Sequence, residues 1–175
     1  MEIERGIGHV QGVPVGAVFH RRADVLQAKL HRTNQRGISW VVDEVDGVEV
    51  GDAIVLNGGY EDDEDHWDWV RYTGASESKD REAGKGRLLR SQSWSYQDNA
   101  ALKRSFERKY PIRVIRGYKG EPQYSLADDY RYDGLYEITA IRTAASKSPA
   151  PDGSEIKICQ FDLKRLPEDL QVPAV

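Results

Sequence analysis

The chain has 175 residues, with 25 Lys and Arg against 29 Asp and Glu, a formal charge of −4 that on its own argues against a nucleic-acid partner. One cysteine excludes an internal disulfide, and with four histidines it offers no Cys-x-x-Cys zinc spacing. Apolar runs such as Ala53–Leu56 are too short to cross a membrane, the N-terminus lacks a signal-peptide pattern, and 39% hydrophobic residues with four Trp, nine Tyr and three Phe exclude a disordered chain. The expectation is one soluble intracellular domain over 1–175, with its core at about 8–166 and a frayed tail at 167–175.

Residues 1–16, with Pro14, read as an extended entry segment. Ala17–Leu30 has apolar residues at 3–4 spacing and predicts a short amphipathic helix. His31–Gly37 is a polar, basic loop. Ser39–Val42 and Val48–Leu56 are β-branched runs around the turn Asp46-Gly47 and predict strands. Asn57-Gly58-Gly59 breaks the second, and Trp69–Tyr72 is a further short strand. Residues 75–92 carry few apolar positions and read as a long mobile loop, a length often tied to function. Gln97–Lys109 predicts a helix with Ala100, Leu102 and Phe106 on its apolar face. Asp98 near its start complements the dipole, and Pro111 stops it. Ile112–Ile115, Leu135–Arg142 and Ile156–Leu166 predict strands, the last two joined by a loop holding Pro149, Pro151 and Gly153. The sum is an α+β fold, mostly β with two helices.

The charges are sorted along the chain. Asp43–Asp68 holds eleven acids and no Lys or Arg, which leaves 25 basic against 18 acidic groups elsewhere. Lys79–Lys119 alone has twelve basic residues against four acidic. A chain of negative total can therefore present a strongly positive face.

The most unusual segment is Gly58-Gly-Tyr-Glu-Asp-Asp-Glu-Asp-His66. Its acids invite a hard cation, yet the spacing is not that of an EF-hand. A solvated acidic turn is the plain alternative. Tyr60 before the acids and Tyr72-Thr73-Gly74 after the next strand supply two stacking faces and a carboxylate, the parts needed to hold a nucleobase. Without further context the two tyrosines fit an ordinary core role better.

In these pieces and others the chain resembles an SRA (SET- and RING-associated, or YDG) domain, the reader of 5-methylcytosine in DNA. The matching stretches are Gly12-Val-Pro-Val-Gly16, His31-Arg32, Val55–Asp63, Tyr72-Thr-Gly74, Asn99-Ala-Ala-Leu102, Pro111–Arg116 and Arg131-Tyr-Asp-Gly-Leu-Tyr136. The resemblance implies a PUA-like twisted β-barrel flanked by helices, and a modified cytosine flipped into a pocket. Tyr60 and Tyr72 would stack on the base, and Asp63 would accept from its N4 amine. Backbone around Thr73 and Gly74 would meet other polar edges, and Asn57, Gly58 and Gly59 would line the side of the C5 substituent. Asn57 could hydrogen-bond a 5-hydroxymethyl group. DNA-inserting loops would be Arg32–Gly37, tipped by Asn34, Gln35 and Arg36, and a second loop carrying Lys79, Arg81, Lys85, Arg87 and Arg90. Arg113, Arg131 and Asp133 fit structural roles, and Tyr132 and Tyr136 fit the core.

The resulting expectation is a non-enzymatic reader of 5-methylcytosine or 5-hydroxymethylcytosine in double-stranded DNA. It would need no cofactor or metal. It would be prokaryotic and cytoplasmic (nuclear if eukaryotic), and joined or associated with a nuclease such as an HNH-type restriction endonuclease. The alternatives are a metal-dependent hydrolase using Asp62, Asp63, Asp65 and His66 within the 61–66 cluster, and a protein-interaction module built on the acidic turn.

Overall fold

The computed structural model describes residues 6–82 and 87–172. Strands β1 (Val18–Phe19), β2 (Ile38–Val42), β3 (Glu49–Leu56), β4 (Glu64–Asp65), β5 (Trp69–Thr73), β6 (Ile112–Arg116), β7 (Tyr130–Ala145) and β8 (Lys157–Arg165) form one eight-stranded sheet. Its order is β2-β3-β6-β7-β8-β5-β4, with β1 paired to β7. Helices α1 (Arg22–Gln27) and α2 (Gln97–Arg108) complete an α+β fold. Among the described residues no helix is long and apolar enough to cross a membrane.

β3 and β6 are parallel while every other strand pair is antiparallel, so the chain between them must cross over. That crossover carries β4, β5 and α2. It therefore brings the turn after β3, the end of β5 and the start of α2 together.

Apolar alternation places two core layers. Ile54, Leu56, Tyr72, Leu102, Val114 and Phe161 belong to one, under α2. Val25, Leu30, Ala53, Val55, Ile115 and Tyr132 belong to the other, under α1. β6 is buried along its whole length, including Arg113 and Arg116. Arg113 is matched there by Asp52 and by the carbonyls of Leu30, Gly6 and Gly8, which ties the entry segment to the sheet. Buried charges persist only when paired and hydrogen-bonded in this way.

The structure departs from the sequence expectations at five places. Helix α1 is shorter than Ala17–Leu30, because Val18 and Phe19 pair with Arg131 and Tyr130 of β7. Asp24 accepts the Arg21 N–H at 3.1 Å and so sets the helix start. In α2 the buried face is Asp98, Asn99, Ala101, Leu102 and Ser105, with Ala100 only half-buried. β7 begins at Tyr130, five residues before Leu135, since Arg131-Tyr-Asp-Gly continues the strand. The loop expected to be mobile at 75–92 is anchored by a Ser78–Asp80 turn, an Arg81–Leu88 bridge and the buried Leu88. The tail expected to fray is docked at Gln171, whose amide accepts from Leu135 N–H at 2.7 Å and donates to Leu135 O at 2.8 Å.

Candidate functional site

A cavity of about 480 Å³ opens where the crossover elements meet, within the size range of small-molecule sites. Tyr60 and Asp63 enter it from the turn after β3, Tyr72 from β5, and Tyr96 and Asp98 from the start of α2. Gln35, Arg36 and Gly37 close it from the loop before β2, and Arg22 reaches it from α1.

The turn after β3 depends on Gly58, which sits at φ +70° against the Lys119 carbonyl, where any Cβ would overlap that carbonyl. Asp63 Oδ1 accepts the Thr73 N–H at 2.7 Å, which fixes the carboxyl to the end of β5. Burial pushes the Asp63 carboxyl up to about 7, and Thr73 only partly offsets this. Tyr72 is buried, and burial, with Asp63 beside it, raises its hydroxyl well above the ordinary range. Both tyrosines are therefore neutral, with rings able to stack on a planar guest.

The loop before β2 is built from inside. Arg22 Nη2 donates to the carbonyls of Thr33 and Arg36, both at 2.8 Å. The buried His31 ring lies 2.9 Å from the Thr33 and Gly37 carbonyls, and burial lowers its pKa to about 4. Gly37 packs against the Tyr72 hydroxyl so closely that a Cβ would overlap it. Gly37→Ala is therefore expected to displace the Tyr72 ring. Overpacking of this kind should cost about 1–3 kcal/mol of stability, read as a lowered melting temperature.

Of the residues singled out in the sequence, Asn57, Gly59, Tyr60, Asp63, Tyr72, Gly74, Gln35, Arg36 and Arg81 line the cavity. Gly58 lines a neighbouring cleft with Arg87, and Thr73 lies behind Asp63. The exposed Asn34 stands outside the cavity, as do Lys79 and Arg90, which pair with Glu77 and Asp80. Lys85 lies outside the described residues.

Two expectations about polar contacts change. The N–H groups of Thr73, Gly74 and Ala75 are taken by Asp63, Cys159 and Asn99, so they are not free to meet a base. The Asn57 amide accepts from Lys119 N–H at 2.8 Å and faces the Tyr130 hydroxyl at 3.5 Å, which makes it a support of the following turn.

Arg22 and Asp98 were missed. Arg22 gave no sequence signal. Asp98 did, being four residues before the core Leu102 and so on the same helix face.

The acidic turn does not gather a metal site. Asp62 is bound by Ser146 and Lys147, Asp63 by Thr73, Asp65 by Arg116, and His66 stacks on Trp69. Among the described residues no group of three or more His, Cys, Asp or Glu could hold a cation. With Asp62 buried and Asp63 turned into the cavity, the turn does not present a continuous acidic surface either.

The sequence matches the SAD/SRA domain over residues 6–169. It is 34% identical to the E3 ubiquitin-protein ligase ORTHRUS-LIKE 1 of Arabidopsis thaliana over 86% of this chain and 29% of that protein. It is 35% identical to the Arabidopsis thaliana histone-lysine N-methyltransferase SUVH5 over 95% of this chain and 20% of that protein. The chain thus spans less than a third of the length of these two relatives. Among solved structures, the modification-dependent TagI restriction endonuclease superposes with TM-score 0.80 at 37% identity, over 94% of this chain and 53% of that one. The SUVH5 SRA bound to fully hydroxymethylated CG DNA superposes with TM-score 0.73 at 32% identity, over 97% of both chains.

Proposed function

The chain belongs to the SAD/SRA domain family, and from that premise we propose that it reads modified cytosine in double-stranded DNA by taking the base into the cavity of Tyr60, Tyr72 and Asp63. The observation that carries this reading is the cavity itself: two neutral tyrosines and a half-buried carboxyl in one space large enough to take a nucleobase. Unstacking a base costs a few kcal/mol, and aromatic stacking returns about 1–3 kcal/mol. The Asp63 carboxylate accepts from cytosine N4 and disfavours thymine, whose O4 is an acceptor.

Around the cavity, the exposed Arg36, Arg81, Arg87 and Arg90 supply phosphate contact. Binding should therefore weaken steeply with salt. The likeness to TagI supports a further step: the domain serves as the recognition part of a modification-dependent restriction endonuclease, with the cutting chemistry in another domain.

The test is titration of duplexes that differ only at C5 of one cytosine, bearing hydrogen, methyl or hydroxymethyl. Either modified duplex should bind at least several-fold more tightly than the plain one. Equal binding of all three overturns the reading.

A further inference from the structure

The cavity holds a second carboxyl that the stacking and N4 contacts leave unused. Asp98 is fully buried at the start of α2. Its Oδ1 accepts from Trp40 Nε1 at 3.1 Å and from Arg36 Nη1 at 3.3 Å. Its Oδ2 is buried and has no hydrogen-bond partner among the described residues. A buried acceptor left open is costly unless a ligand fills it. Asp63, Tyr72 and Asp98 line the same cavity.

A cytosine bearing hydrogen or methyl at C5 has one donor group on this edge, the N4 amine. A 5-hydroxymethylcytosine has a second, an O–H on the methylene carried by the neighbouring ring carbon. Only the hydroxymethyl base brings a donor on its C5 side, which an unpaired buried acceptor can take. Asn57, the hydroxyl partner suggested by the sequence, has its amide oxygen taken by the Lys119 N–H.

We propose that Asp98 is a specificity-determining residue whose Oδ2 accepts the hydroxyl of a 5-hydroxymethyl group, making this domain a better reader of 5-hydroxymethylcytosine than of 5-methylcytosine. The inference rests on the base-flipping reading above. It places the C5 substituent against Asp98 rather than Asn57. The buried hydroxyl of Ser76, next to Tyr60, lines the same cavity.

The experiment uses one duplex carrying cytosine, 5-methyl-, 5-hydroxymethyl- or 5-formylcytosine at a single position, against the wild type, Asp98→Asn and Arg36→Gln. The wild type should prefer hydroxymethyl to methyl about tenfold, as expected for a buried hydrogen bond to a charged acceptor. It should bind formyl no better than methyl, since an aldehyde accepts but cannot donate. Asp98→Asn should bring the hydroxymethyl-to-methyl ratio to within about twofold of unity. Arg36→Gln breaks the ion pair but leaves Oδ2 in place, and should weaken all four duplexes alike.

A wild-type ratio near one, or a ratio unchanged in Asp98→Asn, overturns the proposal. The wild-type ratios and the formyl duplex need no variant, so a poorly folding Asp98→Asn does not shield it. No preference for any modified duplex over plain cytosine would instead overturn the base-reading function itself.

Discussion

Asp63→Asn is expected to lower affinity for a duplex with one modified cytosine roughly hundredfold and to abolish discrimination against thymine at the same position. The amide oxygen of asparagine can still accept the Thr73 N–H that Asp63 Oδ1 now takes at 2.7 Å, so the turn keeps its shape. What changes is the group left for the base. A carboxylate oxygen becomes an NH₂, which faces the cytosine amine donor to donor. Losing a charged acceptor and adding an unsatisfied donor together cost about 3 kcal/mol, which is about two decades in affinity. Thymine presents O4 to the new NH₂ and should lose little. Titration of matched cytosine, modified-cytosine and thymine duplexes reads both effects. A loss of less than threefold, or an equal loss for thymine, would remove Asp63 from base recognition.

The same residue sets a pH dependence. Burial raises the Asp63 carboxyl to about 7 in the free protein, whereas its partner, an amine hydrogen, requires the ionised form. Below pH 7 binding must first release a proton. Between pH 6 and pH 8 affinity should therefore rise about tenfold and then level off. The buried His31 ring, with its pKa near 4, is neutral throughout this range and adds no slope. In Asp63→Asn the slope should vanish. A wild-type affinity flat from pH 6 to pH 8 would show that the carboxyl is already ionised before the base arrives.

The paired tyrosines and Asp63 were legible in the sequence because their motif is local: a glycine turn, an aromatic, a carboxylate, then a second aromatic closing the next strand. The strand order was not, since the parallel β3–β6 pair joins residues some sixty positions apart and leaves no local pattern. The apolar alternation at Leu135–Arg142 marks only the middle of β7, and the turn-forming pair Asp133-Gly134 lies inside the strand. Tertiary contacts overrode that tendency: Asp133 is neutralised by Arg116 and Arg131, and Gly134, at φ +102°, lies under the Gln171 side chain. The 79–119 charge surplus was read as one positive face. Its two strand arginines, Arg113 and Arg116, are instead fully buried, so the phosphate-facing charge is smaller than the count suggests.

Arg116→Ala is expected to be the most destabilising of these changes, lowering the unfolding free energy by about 3–5 kcal/mol, the usual result of removing one partner from a buried ion pair. Its guanidinium, fully buried, holds both oxygens of Asp65 at 2.7 Å, Asp133 at 3.0 Å and the Trp67 carbonyl at 3.0 Å. The Trp67 indole lies over it at 4.6 Å, with Arg131 and Arg165 each 5.5 Å from the same ring. Without Arg116, Asp65 becomes a nearly buried, unpaired carboxylate, and Trp67, at φ +70°, loses what holds it in that conformation. Arg71, part-exposed beside Asp162 and Glu64, is the comparison, and Arg71→Ala should cost no more than about 1 kcal/mol. Chemical denaturation of the two variants checks the contrast, and equal losses would show that the Arg116 cluster is not an anchor. The consequence reaches the site because Asp65 lies two residues from Asp63. The acidic turn that suggests a metal centre in the sequence is thus divided by its strand partners: Asp63 faces the cavity, and Asp65 is bound to Arg116 of β6, which holds the turn against the sheet.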